Sequence, residues 1–257
     1  MMSSLKLRIL LHRLRRKLLG HKIEIRRSWQ ETPAQFQDMV QFLNWFDATS
    51  SIEACVEKAQ SDWKLRFRTT SGFEDLEHRK ALEIGFGGGR LLAQAAQDFK
   101  FVYGVDIHDA FAMTDKFLRS QGHSNFALLE RDEITTIEDE TIDFVYSFIV
   151  FQHFDSADEV EYYLDHICRV LKPYGVAHIY YGRCSGDGHR VTSDEEFDLR
   201  DCSLFFAPTE MHDRLEPRFE IVDFANSLPR DPVSGEGVSA QARVVLRKHR
   251  TNPQDHV

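Results

Sequence analysis

Glutamate, aspartate and a run of glycines supply the most informative chemistry in this chain. Ala81-Leu82-Glu83-Ile84-Gly85-Phe86-Gly87-Gly88-Gly89-Arg90-Leu91-Leu92 reads as a short buried strand that passes through a glycine loop into a helix. Glycines at such a place let the backbone turn sharply and let a ligand approach without meeting a Cβ. Asp106 follows Gly85 by 21 residues and ends the next apolar run, Phe101 to Val105. From that position a carboxylate can bind a ribose diol, so the pair of features implies a nucleoside-containing ligand. Arg90 stands where the dinucleotide fingerprint needs a small residue, which disfavours a pyrophosphate site. His153 has a side chain suited to moving a proton near neutral pH, as a base or substrate ligand, or else serves as a structural histidine in the connection to the next helix. His178 alternates within a strand and is expected to be buried and hydrogen-bonded.

The elements that must position these groups are readable from the apolar pattern. From Lys80 onward short apolar runs alternate with amphipathic stretches. Strands are predicted at 81–84, 101–105, 126–129, 142–147 and 176–181, with helices at 89–97, 109–121 and 156–171, the last opened by a Ser156-x-x-Glu159 capping box. Such repeated βα units imply a mostly parallel sheet covered by helices on both faces. A helix near 208–215 precedes two close strands, 219–224 and 242–246, expected to be antiparallel neighbours at the sheet's end. Upstream, Thr32 and Pro33 predict the start of a helix bearing Phe36, Met39, Val40, Leu43 and Phe46, and Ser50-x-x-Glu53 predicts another running to about Phe67. The stretch Thr69 to Asp75 reads as a linker. The expected organisation is an N-terminal helical extension over 1–74 and a ligand-binding domain over 75–250.

The loop Glu83-x-Gly85-x-Gly87-x-Gly89 resembles the E/D-x-G-x-G-x-G loop of class I S-adenosylmethionine-dependent methyltransferases of the small-molecule type. Asp143-Phe144-Val145-Tyr146-Ser147-Phe148-Ile149-Val150-Phe151-Gln152-His153-Phe154 is similar to the stretch after strand four in many of those proteins. Arg169-Val170-Leu171-Lys172-Pro173-Tyr174-Gly175 is similar to their R-x-L-K-P-G-G turn, with Tyr174 in place of the first glycine. The resemblance covers about residues 78–248 and implies a Rossmann-like α/β fold with a seven-stranded sheet and a C-terminal antiparallel hairpin. It implies S-adenosyl-L-methionine as cofactor, with Gly85, Gly87 and Gly89 at its methionyl part and ribose, Glu83 at its ammonium group and Asp106 at its ribose hydroxyls. Ile107 and His108 would flank the adenine, Asp132 (or its neighbour Glu133) would accept from the adenine amino group, and Ser147 and Phe148 would lie beside the sulfonium. Methyl transfer is an in-line displacement whose main demand is alignment, and an oxygen or nitrogen acceptor also has to lose a proton, for which His153 is the candidate. The segment from Tyr181 and Arg183 through Cys202 could cover the acceptor pocket or be a solvated loop.

Composition bounds the remaining choices. The 257 residues are 42% apolar and 28% charged, enough for a sizeable core and unlike a disordered or disulfide-dense chain. Cys55, Cys168, Cys184 and Cys202 are widely spaced without a C-x-x-C pair, so neither a zinc site nor a disulfide framework is expected and a cytoplasmic setting is. No metal site is expected elsewhere, and no run is long and apolar enough to cross a bilayer. Charge is uneven: residues 1–27 carry nine Lys/Arg and one acid, whereas the whole chain has a net charge of −9. The acidic body makes nucleic acid an unexpected partner, because that affinity rests on Lys/Arg contacts to phosphate. Leu7, Leu10, Leu11, Leu14 and Leu18 make the leader a basic amphipathic helix. It could meet an anionic membrane through residues 1–20, act as a transit peptide, or pack on the acidic body. The expected partner is a small-molecule acceptor. Two alternatives remain: a catalytically inactive nucleoside-binding regulatory or scaffolding protein of the same fold, and a nicotinamide-dependent oxidoreductase, which Arg90 opposes.

Overall fold

A computed structural model describes residues 21–68, 71–184, 188–191, 204–225 and 241–249. The leader helix expected over residues 1–20, Cys202 and the centre of the 184–202 segment lie outside them. Four parallel strands, β1 (Lys80–Ile84), β2 (Phe101–Asp106), β3 (Phe126–Glu130) and β4 (Ile142–Ser147), are followed by β5 (Leu171–Gly182), parallel to β4. Strands β8 (Phe219–Ala225) and β9 (Gln241–Lys248) close the sheet, with β9 antiparallel to both β5 and β8. The order is β3-β2-β1-β4-β5-β9-β8, the seven-stranded architecture expected from the sequence. Strand order reverses between β1 and β4, and in open sheets of this kind ligands bind beyond the carboxyl ends of the strands at that reversal.

Side-chain alternation sends the two faces of the sheet into two cores. Leu82, Ile84, Val145, Ala177 and Ile179 pack against α6 (Ala157–Val170) and α7 (Pro208–Leu215). Ala81, Val102, Phe144, Tyr146 and Tyr180 pack against α2 (Met39–Asp47), α3 (Ile52–Trp63), α4 (Arg90–Asp98) and α5 (Phe111–Ser120). All six residues of β4 are buried, as a strand covered on both faces requires. Helix α1 (His21–Glu31) precedes a 3-10 turn at Pro33–Gln35.

Several local expectations are corrected. Thr32 makes no side-chain cap; Pro33–Gln35 is one tight turn, Phe36 is extended, and α2 starts at Met39 with Asp38 accepting from the Gln41 N–H at 2.9 Å. The cap of α3 is Ser51, accepting from the Ala54 N–H at 3.1 Å, one residue later than the Ser50 box. Ser156 makes no side-chain cap either, and Glu159 is bound instead by the Arg131 guanidinium, with one contact at 2.9 Å. A charge-assisted fork outweighs a capping bond. Strand β5 is twice the predicted length, because the Lys172-Pro173-Tyr174-Gly175 turn is absorbed as an irregularity in its pairing with β4. Tyr174 takes φ of 64° there, the left-handed backbone that the resemblance assigns to glycine. Finally, β6 (His189–Val191), within the expected loop, pairs antiparallel with β7 (Leu204–Phe206), just past its end, in a small second sheet.

Candidate active site at the switch point

The loop between β1 and α4 is pinned from both sides at Gly87. Its N–H donates to Asp106 Oδ2 at 2.7 Å, while its carbonyl accepts from the Thr114 hydroxyl at 3.0 Å and lies 3.0 Å from His108 Nε2. His108 Nδ1 accepts from the Ala110 N–H at 3.1 Å, so the proton belongs on Nε2 and points at Gly87. Gly85, Gly87 and Gly89 all have positive φ, but space is the stronger constraint. A Cβ on Gly87 would lie 2.8 Å from Phe46 Cδ1, and one on Gly85 would overlap the Val150 side chain. His108, which the resemblance sets beside an adenine, is turned inward by the fold and buried among Phe42, Phe46, Phe86 and Phe111, where it braces the loop.

Asp106 takes one backbone N–H on each oxygen, from Gly87 and from Ile107, both at 2.7 Å. A carboxylate offers about four acceptor positions, so lone pairs remain for two hydroxyls. Glu83 is buried at the end of β1 and accepts from the Tyr146 hydroxyl at 3.1 Å. Desolvation pushes its carboxyl up to about 8, against the opposing pull of that hydroxyl and of the Arg90 guanidinium. Arg90, in the first turn of α4, is buried between Asp47 of α2 and Asp62 of α3, the latter at 2.8 Å. Burial opposes its charge, but the two carboxylates outweigh it and raise its pKa.

The remaining predicted residues are placed as follows. Ser147 is fully buried and donates to the Ile84 carbonyl at 2.9 Å, tying the end of β4 to the start of the loop. Phe148 lies against Phe67 and Tyr180, with the Arg66 guanidinium 5.0 Å from its ring centre. His153, in a 3-10 turn after β4, packs its ring 4.8 Å from that of Trp29 and donates its backbone N–H to the Val150 carbonyl. Asp132 is exposed and ion-paired with Arg131, and no hydrogen bond among the described residues joins it to the glycine loop. Glu133 caps its own turn by accepting from the Glu130 N–H at 2.8 Å. His178 sits between Phe67 and Tyr180, and burial followed by the charges of Arg243 and Arg66 pushes its pKa down to about 3, leaving it neutral.

Trp29 has no counterpart among the predicted site residues. The last turn of α1 spans the crevice: the Gln30 carbonyl accepts from the Asp109 N–H at 2.9 Å on the β2 side, while Trp29 meets His153 on the β4 side. The available signal was the density of aromatic residues between Trp29 and Phe46.

Residues 82–179 match the family model described as a methyltransferase domain. Those residues carry a methyltransferase domain. S-adenosylmethionine is the cofactor that the resemblance of the glycine loop implies for it. Sequence comparison with curated proteins gave no match. Among solved structures, a SAM dependent methyltransferase from Aquifex aeolicus is 17% identical with a TM-score of 0.51, the match covering 75% of this chain and 98% of that one. The 1,6-didemethyltoxoflavin-N1-methyltransferase of Burkholderia thailandensis, solved with 1,6-didemethyltoxoflavin and S-adenosylhomocysteine, is 18% identical with a TM-score of 0.54 over 76% of this chain and 84% of its own. The cyclase SpnF shares the fold at 15% identity and a TM-score of 0.55, over 77% and 82% of the two chains. At these identities the likeness is one of fold.

The residues present fit the cofactor of this domain. Asp106 keeps acceptor positions for a diol, the glycines form a cradle that any Cβ would obstruct, and a carboxylate lies behind the loop. Phe46 rests on Gly87 by its ring, a side-chain contact that rotation about χ1 can move aside.

Proposed function

We propose that the methyltransferase domain acts on an oxygen or nitrogen of a small molecule. The observation that carries this reading is α1 bridging the loops after β2 and β4 through Gln30 and Trp29. A crevice roofed in this way suits a compact acceptor better than a polymer lying across the sheet's end. The acidic body argues in the same direction against nucleic acid. The cofactor-binding unit runs over 75–250, and the described helices of the 1–74 extension roof it. Its setting is cytoplasmic, in keeping with Cys55, Cys168 and Cys184 as free thiols.

The cofactor supplies a methyl group on a sulfonium, a leaving group that needs no protonation. The chain's part is to align and to desolvate. Asp106 holds the ribose diol, Gly85, Gly87 and Gly89 admit the methionyl backbone, and Glu83 meets its ammonium. Ile107 borders the adenine, with Asp132 at its amino group. Ser147 fixes the end of β4 through Ile84, and Phe148 presents an apolar ring beside the reacting carbon. His153 takes the acceptor's proton at a ring nitrogen.

The direct test supplies tritiated S-adenosylmethionine and a cell extract to the full-length protein, with Asp106→Ala as control. Label is expected in the low-mass fraction; label confined to protein or nucleic acid overturns the small-molecule assignment. Asp106→Ala should weaken S-adenosylhomocysteine binding by at least about tenfold, since each charge-assisted hydrogen bond is worth about 1.5–3 kcal/mol. Unchanged affinity would break the ribose assignment.

A further inference from the structure

Three tryptophans occur in the chain, and their N–H groups are treated differently by the fold. Trp63 Nε1 donates to Asp98 Oδ2 at 2.7 Å. Trp29 Nε1 and Trp45 Nε1 are both buried, and neither has a hydrogen-bond partner among the described residues. Buried donors left unpaired are uncommon in folded proteins, and each calls for an explanation. Here two occur in adjacent rings, whose centres are 5.9 Å apart.

Their position supplies the explanation. Trp29 stacks on Phe46 at 6.3 Å, and Phe46 is the side chain resting on Gly87. Trp29 also meets His153, three residues after the Val150 that rests on Gly85. Trp29 therefore adjoins a side chain that covers the glycine cradle, where the amino-acid end of the cofactor lies in the reading above, and the Trp45 ring lies directly against that of Trp29. That end carries an ammonium, which Glu83 can meet, and a carboxylate, for which no acceptor-seeking group has yet been assigned. The nearby cations are already engaged: Arg90 is held by Asp47 and Asp62, and Arg66 by Asp62 at 2.9 Å.

We infer that the Trp29 and Trp45 indole N–H groups donate to the carboxylate of the cofactor's methionyl end, an inference that rests on the cofactor lying along the glycine loop. An anionic acceptor makes such hydrogen bonds shorter and stronger than those between neutral groups, and a site shielded from water strengthens them further. The two donors satisfy the carboxylate without bringing a second cation into a region that already buries Arg90. They also account for α1: Trp29 reaches the site from the roof, so docking of that helix and binding of the cofactor's carboxylate are one event.

The test compares two ligands by calorimetry with full-length protein: S-adenosylhomocysteine, and its analogue in which the α-carboxylate is replaced by hydrogen. Trp29→Phe and Trp45→Phe keep an aromatic ring and remove the N–H. Each variant should bind S-adenosylhomocysteine at least fivefold more weakly than wild type, yet bind the decarboxylated analogue within twofold of wild type. Equal weakening toward both ligands would assign that indole to packing alone and overturn its role, as would unchanged affinity for S-adenosylhomocysteine. If the wild type bound neither ligand, the placement of the cofactor on the loop would itself fail and this inference with it.

Discussion

Replacing Glu83 by glutamine should abolish a pH dependence that the wild type carries between about pH 4.5 and 8. Desolvation lifts this carboxyl from its ordinary 4.5 to about 8, against the Tyr146 hydroxyl and Arg90. Because its folded-state pKa is the higher one, the native chain binds more protons than the unfolded chain throughout that window. Its contribution to stability is therefore full below about pH 4.5 and is lost as pH rises through about 8. At about 1.36 kcal/mol per tenfold change in proton affinity, the span from 4.5 to about 8 corresponds to about 5 kcal/mol. At pH 7 such a group is about nine-tenths protonated. An ammonium brought beside it favours the carboxylate, so binding of S-adenosylhomocysteine should expel close to one proton. Calorimetry at pH 7 in phosphate and in Tris, which differ in ionisation enthalpy, should give different heats for wild type and equal heats for Glu83→Gln. Melting of the ligand-free wild type should fall more steeply from pH 5 to 8.5 than melting of the variant. Equal heats in both buffers together with parallel melting curves would refute the placement of a protonated Glu83 at the ammonium site.

Two further outcomes probe the acceptor side and the leader. His153→Ala should lower kcat at least tenfold at saturating cofactor while leaving S-adenosylhomocysteine affinity within twofold; a fall in melting temperature with kcat intact would assign the ring to packing against Trp29. Of the three readings of the leader, the membrane one requires that full-length protein sediment with phosphatidylserine vesicles and that deletion of residues 1–20 abolish this without altering cofactor affinity. Wild-type protein remaining in the supernatant would remove the membrane from consideration.

How much of this was legible in the sequence varied with the range of the interaction. Strands β1 and β4 stand out because both faces are covered, so apolar residues dominate both, with Glu83 and Asp143 as the buried charged exceptions. The glycine loop and Asp106 were legible because three positive-φ turns require glycine and the end of β2 brings Asp106 to the Gly87 N–H. Helix starts were less so: Thr32-Pro33 and Ser50-x-x-Glu53 are sound local signals, yet Asp38 and Ser51 do the capping, since packing of Phe42, Leu43 and Cys55 sets where each helix begins. Strands β6 and β7 have three residues each, too few to show a period. The bracing of Gly87 by His108 and Thr114, and the approach of Trp29 to His153, depend on segments that are distant in sequence.

The Arg90 ion pairs make the amino-terminal layer inseparable from the loop. Asp47 and Asp62 come from helices preceding the glycine motif, whereas Arg90 opens the helix that follows it. Removing the two helices that carry Asp47 and Asp62 would strand a buried cation and bare the aromatic face formed by Phe144, Tyr146 and Tyr180. An uncompensated charge in an interior is destabilising by about 3–5 kcal/mol, a large part of what a domain has to spare. Grafted onto another member of the fold, the same motif would need its two acidic wardens transplanted with it.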